Sequence, residues 1–118
     1  MFYIHGGGFS MRSSTEFRPE LLLEKDVILV VPQYRLGPLG FLSADILDAP
    51  GNAGLLDVLL ALRWCHDNII SFGGDPNQVT VIGQSAGAGI SSALLFSPLV
   101  EPGNIQLFSS TSIIIYLS

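Results

Sequence analysis

Hydrophobic and polar positions divide the chain into short, well-marked elements. The stretch FYI (2–4) is apolar and runs into three glycines, reading as the end of a strand whose beginning is missing. TEFRPELLLEKD (15–26) sets Leu21, Leu22 and Leu23 between charged residues and predicts a helix with Pro19 in or near its first turn. VILVVPQY (27–34) is a continuous apolar run rich in β-branched residues, the pattern of a strand buried on both faces in a parallel sheet. Glycine, proline and aspartate signals make 35–52 a loop. AGLLDVLLALRWCHDNIISF (53–72) predicts a long helix, and its nearly encircling apolar residues predict that it is largely buried. After the turn GGDPNQ come a third strand, VTVI (79–82), and a helix over 85–97 that stops near Pro98. No internal repeat is present.

Strand, helix, strand, helix, strand, helix is the order of an α/β protein: three parallel central strands joined by crossover helices that cover the sheet faces. In such sheets the functional residues lie in loops beyond the carboxyl ends of strands. Two candidate motifs stand there: HGGG after the first strand and GQSAG after the third.

Composition sharpens this picture. Of the 118 residues 48% are hydrophobic, enough for a core, but only 13% are charged, against about 25% for a typical domain. The deficit predicts elements packed on all sides, as inside something larger. Ten carboxylates against five cationic side chains give a net charge of −5 and no basic patch, which argues against a nucleic-acid partner. The single cysteine, Cys65, can form no internal disulfide, so redox compartment stays undetermined. The opening MFYIHGGG shows neither a cationic n-region nor a cleavage site, and localisation is left open. No stretch reaches the roughly 20 apolar residues of a membrane span.

The chemistry centres on Ser85. A nucleophilic serine in an α/β sheet sits on a strained strand-to-helix turn, often at positive φ, with small residues two before and two after it. Gly83 and Gly87 meet that need, and a helix starting at Ser85 would favour developing negative charge. The competing reading is a loop serine among turn glycines. HGGGF (5–9) adds weight, because successive glycines let backbone N–H groups turn inward towards an oxyanion. The partner donor is the N–H of the residue after the nucleophile, Ala86.

These residues resemble the type-B carboxylesterase and cholinesterase family of α/β-hydrolases. FGGDPNQVTVIGQSAG (72–87) fits that family's nucleophile signature, GNAGLLDVLLALRWCHDNIISFGGDP its preceding helix, and YRLGPLGFLS (34–43) its Tyr-Arg-x-Gly-x-x-Gly-Phe-Leu loop. Hormone-sensitive-type lipases share HGGG and GxSxG but lack the FGGDP lead-in and the GFLS loop. Gln84, where glutamate is more usual, resembles some insect esterases. The likeness covers residues 1–99, implying a partial α/β-hydrolase domain truncated at both ends, with 100–118 a divergent tail of unknown origin.

The resemblance implies a serine carboxylic ester hydrolase acting on a small-molecule ester, with Ser85 as nucleophile, Gly7, Gly8 and Ala86 as oxyanion-hole donors, and no metal or organic cofactor. His5 would shape the glycine loop, and Arg35 and Asp57 would pair to tie the YRLG loop to the long helix. The triad order is serine, acid, histidine. After Ser85 there is Glu101 but no histidine, since His5 and His66 both precede it. The acid and base are therefore expected beyond the chain, and the 118 residues alone are expected to be inactive, poorly soluble and largely unfolded. Two alternatives stand beside this reading: a non-catalytic adhesion-type relative, and a truncated or pseudogene product.

Overall fold

A computed structural model describes residues 1–100 and the backbone of 107–110 and 114–115. Most of the segment expected to be a divergent tail lies outside the described residues. The elements are β1 (Phe2–Ile4), α1 (Gly37–Phe41), β2 (Ser43–Ile46), β3 (Ala49–Pro50), α2 (Ala53–Asn68), β4 (Thr80–Gly83), α3 (Ala86–Leu95), β5 (Leu107–Ser110) and β6 (Ile114–Ile115). The main sheet has the order β1-β4-β5-β6. β1 and β4 pair in parallel with Ile4 opposite Gly83, and β4 pairs in parallel with β5.

The run 27–34, expected to be a full strand, lies parallel beside β1 but bridges it at one pair, Phe2 and Val30. Tyr3 N–H donates to Val30 O (2.8 Å) and Val30 N–H to Met1 O (2.9 Å). The ladder cannot extend far: β1 has three residues, and Pro32 brings no N–H. Parallel backbones nonetheless leave the carboxyl ends of this run, β1 and β4 at one edge of the sheet.

Strand burial alternates instead of covering both faces. Phe2, Ile4, Val79 and Val81 are buried, while Tyr3 and Ile82 are half-buried. The buried face joins Val58, Leu59, Leu62, Cys65 and Ile69 after it, together with Ile90 and Leu94 of α3, in one cluster. Helix α2 thus buries one stripe at helical spacing. The expectation that it is covered all round fails: Leu56, Leu60 and Trp64 on the other side are exposed, Trp64 meeting the Phe72 ring at 6.0 Å between centroids.

The helix expected over 15–26 is absent. Two 3-10 turns, Ser14–Glu16 and Leu22–Glu24, flank an irregular stretch at Pro19. Proline lacks an N–H and biases Arg18 away from helical geometry, and Leu21 and Leu23 point to solvent without a core to hold a helix. The loop 35–52 is more ordered than expected: Pro38 sits in the first turn of α1, and β2 and β3 form a small antiparallel ribbon.

Helix α3 meets the sheet backbone to backbone. A Cβ on Gly83 would overlap Gly87 O, and one on Gly87 would overlap Ile4 O. Glycine is required at both positions for the helix to sit this close. Gly87→Ala is expected to destabilise the chain by at least the roughly 1–3 kcal/mol of overpacking, because the obstruction is backbone and cannot rotate away. Denaturant unfolding of the complete polypeptide carrying this segment checks this, and a loss well below 1 kcal/mol would contradict it.

The second anchor is the expected ion pair. Arg35 Nη2 donates to Asp57 Oδ1 (2.7 Å), while its Nε (2.8 Å) and its backbone N–H (3.0 Å) both donate to Asp57 Oδ2. This fork ties the segment before α1 to α2. The hydrogen bond from Arg35 is the main cause holding the Asp57 carboxyl below its ordinary value, with burial opposing it. A lowered folded-state value gives stability that is present above the unfolded value and lost as pH falls through the folded one. In the complete polypeptide carrying this segment, Asp57→Asn is therefore expected to lower the unfolding midpoint at neutral pH. The gap from wild type should close as pH drops below about 4. A gap that stays constant from pH 7 to pH 3 would rule out the ion pair as its source.

Candidate active site

Ser85 occupies the junction of β4 and α3. It is the N-cap of α3, with φ 53° and ψ −117°. Positive φ is costly for a residue carrying a Cβ and persists only where the surroundings impose it. Here the turn is fixed on both sides. Gln84 N–H donates to Ile4 O (3.2 Å), Gly87 N–H to Gln84 O (2.8 Å), and Ala88 N–H to Ser85 O (2.9 Å). The Ser85 hydroxyl makes no capping bond, and the residue is exposed. It stands at the positive end of a ten-residue helix.

The glycine loop lies against this turn. A Cβ on Gly6 would come 2.7 Å from Gln84 O and 3.1 Å from Ser85 Cβ, so the two motifs of the sequence meet in space. Gly7 (φ 116°) and Gly8 (φ 60°) take left-handed conformations, and a Cβ on Gly7 would overlap Met11 O. Gly7 O accepts from Ser10 N–H and Met11 N–H, both at 3.1 Å. Among the described residues the N–H groups of Gly7, Gly8 and Ala86 donate no hydrogen bond. Polar hydrogens without partners beside an exposed serine suit an incoming anion.

His5 is buried, and its ring is engaged by partners other than Ser85. Its Nδ1–H donates to Gly6 O (2.8 Å), and its ring stacks on Tyr34 with centroids 4.5 Å apart. Nε2 is buried with no hydrogen-bond partner among the described residues. His66 lies on α2, with Nδ1 3.4 Å from Asp67 Oδ1. Neither histidine hydrogen-bonds to Ser85.

Gln84 links the turn to two residues that the sequence did not single out. Its Oε1 accepts from Tyr3 Oη and from Arg12 Nη1, each at 3.3 Å. Burial pushes the Tyr3 phenol up, and Arg12 partly offsets this. These three line a cleft of about 320 Å³ with His5, Glu16 and Phe17. Tyr34 was missed as well. It stood only as the first residue of the YRLGPLGFLS motif and the last of an apolar run, with nothing local to say that it reaches the glycine loop. Among the described residues no three His, Cys, Asp or Glu side chains gather as a metal site would need, and no helix is long and apolar enough to cross a membrane.

Comparison with known proteins agrees with this architecture. The carboxylesterase family model matches residues 1–113. The chain is 46% identical over 99 residues to venom carboxylesterase-6 of Apis mellifera, covering 84% of this chain and 18% of that protein. It is 52% identical over 100 residues to juvenile hormone esterase of Tribolium castaneum, covering 83% and 17%. The crystal structure of juvenile hormone esterase from Manduca sexta, with OTFP covalently attached, superposes with a TM-score of 0.84 at 42% identity, over 94% of this chain and 22% of that one. The chain thus spans about a fifth of the length of the relatives it matches. It belongs to the carboxylesterase family and carries part of that family's α/β-hydrolase fold.

Proposed function

We propose that this segment supplies the nucleophile and oxyanion hole of a serine carboxylic ester hydrolase. The observation that carries the reading is the backbone of Ser85, held at positive φ at the head of α3 with Gly6 packed against its Cβ. Ser85 Oγ attacks the ester carbonyl, and the carbonyl oxygen becomes an anion. The N–H groups of Gly7, Gly8 and Ala86 receive that charge, each donor contributing roughly 3–4 kcal/mol to lowering the barrier. The alcohol departs, leaving Ser85 acylated, and water then releases the carboxylic acid.

Ser85 needs a base to take its proton and later return it to the leaving alcohol. Neither His5 nor His66 is placed to do this. The reading therefore assigns the base and its orienting acid to a chain longer than these 118 residues. The segment alone, with its oxyanion donors and no base, is proposed to be inactive.

In the complete polypeptide carrying this segment, Ser85→Ala is expected to lower kcat on p-nitrophenyl acetate by roughly 10⁶-fold, the loss seen when a triad serine is removed. A fluorophosphonate should modify the peptide that holds Ser85 in the complete polypeptide, and should leave the isolated 118-residue chain unlabelled. Turnover that survives Ser85→Ala, or a label found on another residue, would overturn the assignment.

A further inference from the structure

The loop His5–Phe9 is held at both ends by the segment Tyr34–Gly37. Tyr34 Oη donates to His5 O (2.7 Å), and Gly37 N–H donates to Phe9 O (2.6 Å). Between these two ties the carbonyls of Gly6 and Gly7 are also occupied, by His5 Nδ1–H and by the Ser10 and Met11 amides. A peptide unit is planar, so its carbonyl and the following N–H point in opposite directions. The bond on Gly6 O therefore sets the direction of the Gly7 N–H, and the bonds on Gly7 O set that of the Gly8 N–H.

The first of these directions depends on the His5 ring, and the ring depends on Tyr34. Tyr34 is 2% exposed, stacks on the imidazole, and binds the carbonyl of the same residue. Burial pushes its phenol up, so the hydroxyl stays protonated and keeps donating through neutral pH. The next residue, Arg35, grips Asp57 of α2, and its own carbonyl is wedged where a Cβ on Gly40 or Gly54 would collide. The tyrosine is thus mounted on a turn that cannot drift.

We infer that Tyr34 is a positioning residue for the oxyanion hole: through its hydroxyl and its stack on His5 it aims the Gly7 N–H at the place where ester oxygen becomes an anion. This rests on the proposed esterase reading of Ser85. Tyr34 touches no reacting atom, and its effect is confined to the oriented donor. Removing the hydroxyl should therefore weaken transition-state binding and spare ground-state binding.

The test compares wild type with Tyr34→Phe in the complete polypeptide, normalised to the titrated fraction of active sites. The expected result with p-nitrophenyl acetate is a fall in kcat of about tenfold with KM within about twofold, the pattern of an interaction made only in the transition state. A trifluoromethyl ketone, whose serine adduct carries the same oxyanion, should bind more weakly by a similar factor, while the thermal midpoint stays close to wild type. The inference is overturned if kcat and ketone affinity both stay near wild type. It is also overturned if the loss appears in KM and thermal midpoint with ketone affinity spared, since that marks a structural role alone. A wild-type polypeptide without Ser85-dependent turnover overturns the esterase reading itself, and the inference with it. Turnover that is present but indifferent to Tyr34→Phe removes only the role of Tyr34.

Discussion

Everything at this site depends on how closely three pieces of backbone approach one another. The carboxyl ends of β1 and β4 lie side by side, and the first turn of α3 rests directly on both. The hydrogen bond from Gln84 N–H to Ile4 O closes the junction. No side chain fits between these elements, so Gly6, Gly83 and Gly87 are steric requirements. The same crowding keeps Ser85 in a conformation it would not choose. A turn with room to relax would return to ordinary φ and withdraw the hydroxyl from solvent. Packing against the sheet thus maintains the strain.

The sheet's parallel sense supplies the rest of the arrangement. Because the run through Val30, β1 and β4 point the same way, the residues that follow each of them arrive at one edge: Tyr34, the glycine loop, and Ser85. A polar framework then fixes loops that packing alone would leave free. Tyr34 and Gly37 hold the two ends of the glycine loop, and Arg35 holds that turn to α2 through Asp57. On the other side Gln84 gathers Tyr3 and Arg12. Most of these bonds span more than twenty residues of sequence, so each fixes the position of one segment relative to another.

Local pattern made some of this legible in the sequence and was silent on the rest. The strand–turn–helix around Ser85 and helix α2 could be read because periodicity, turn residues and length agree there. The Arg35–Asp57 pair was expected only through family resemblance and is found at 2.7 Å. The segment 15–26 was misread because three consecutive leucines between charged residues form a helix only if a core receives them, and two of the three face solvent. The run 27–34 is apolar enough for a strand, yet pairing depends on the length of its neighbour and on Pro32. The ties from Tyr34, Tyr3 and Arg12 to the glycine loop and the serine turn carry no local signature, since each joins residues that only the folded chain brings together.

The exposed side of α2 bears on how the site is completed. Leu56, Leu60 and Trp64 recur every four residues along the face turned away from the core. That spacing is an apolar stripe, and leaving it in water forfeits the free energy that burial would return. The low charge content points the same way. The glycine loop and the serine turn are held among the described residues by steric fit and hydrogen bonds. The proton transfer proposed for Ser85 is different, because neither His5 nor His66 hydrogen-bonds to it. The backbone placement of Ser85 and of the glycine loop is thus set by contacts among the described residues, whereas the proton transfer proposed for Ser85 falls to whatever covers it.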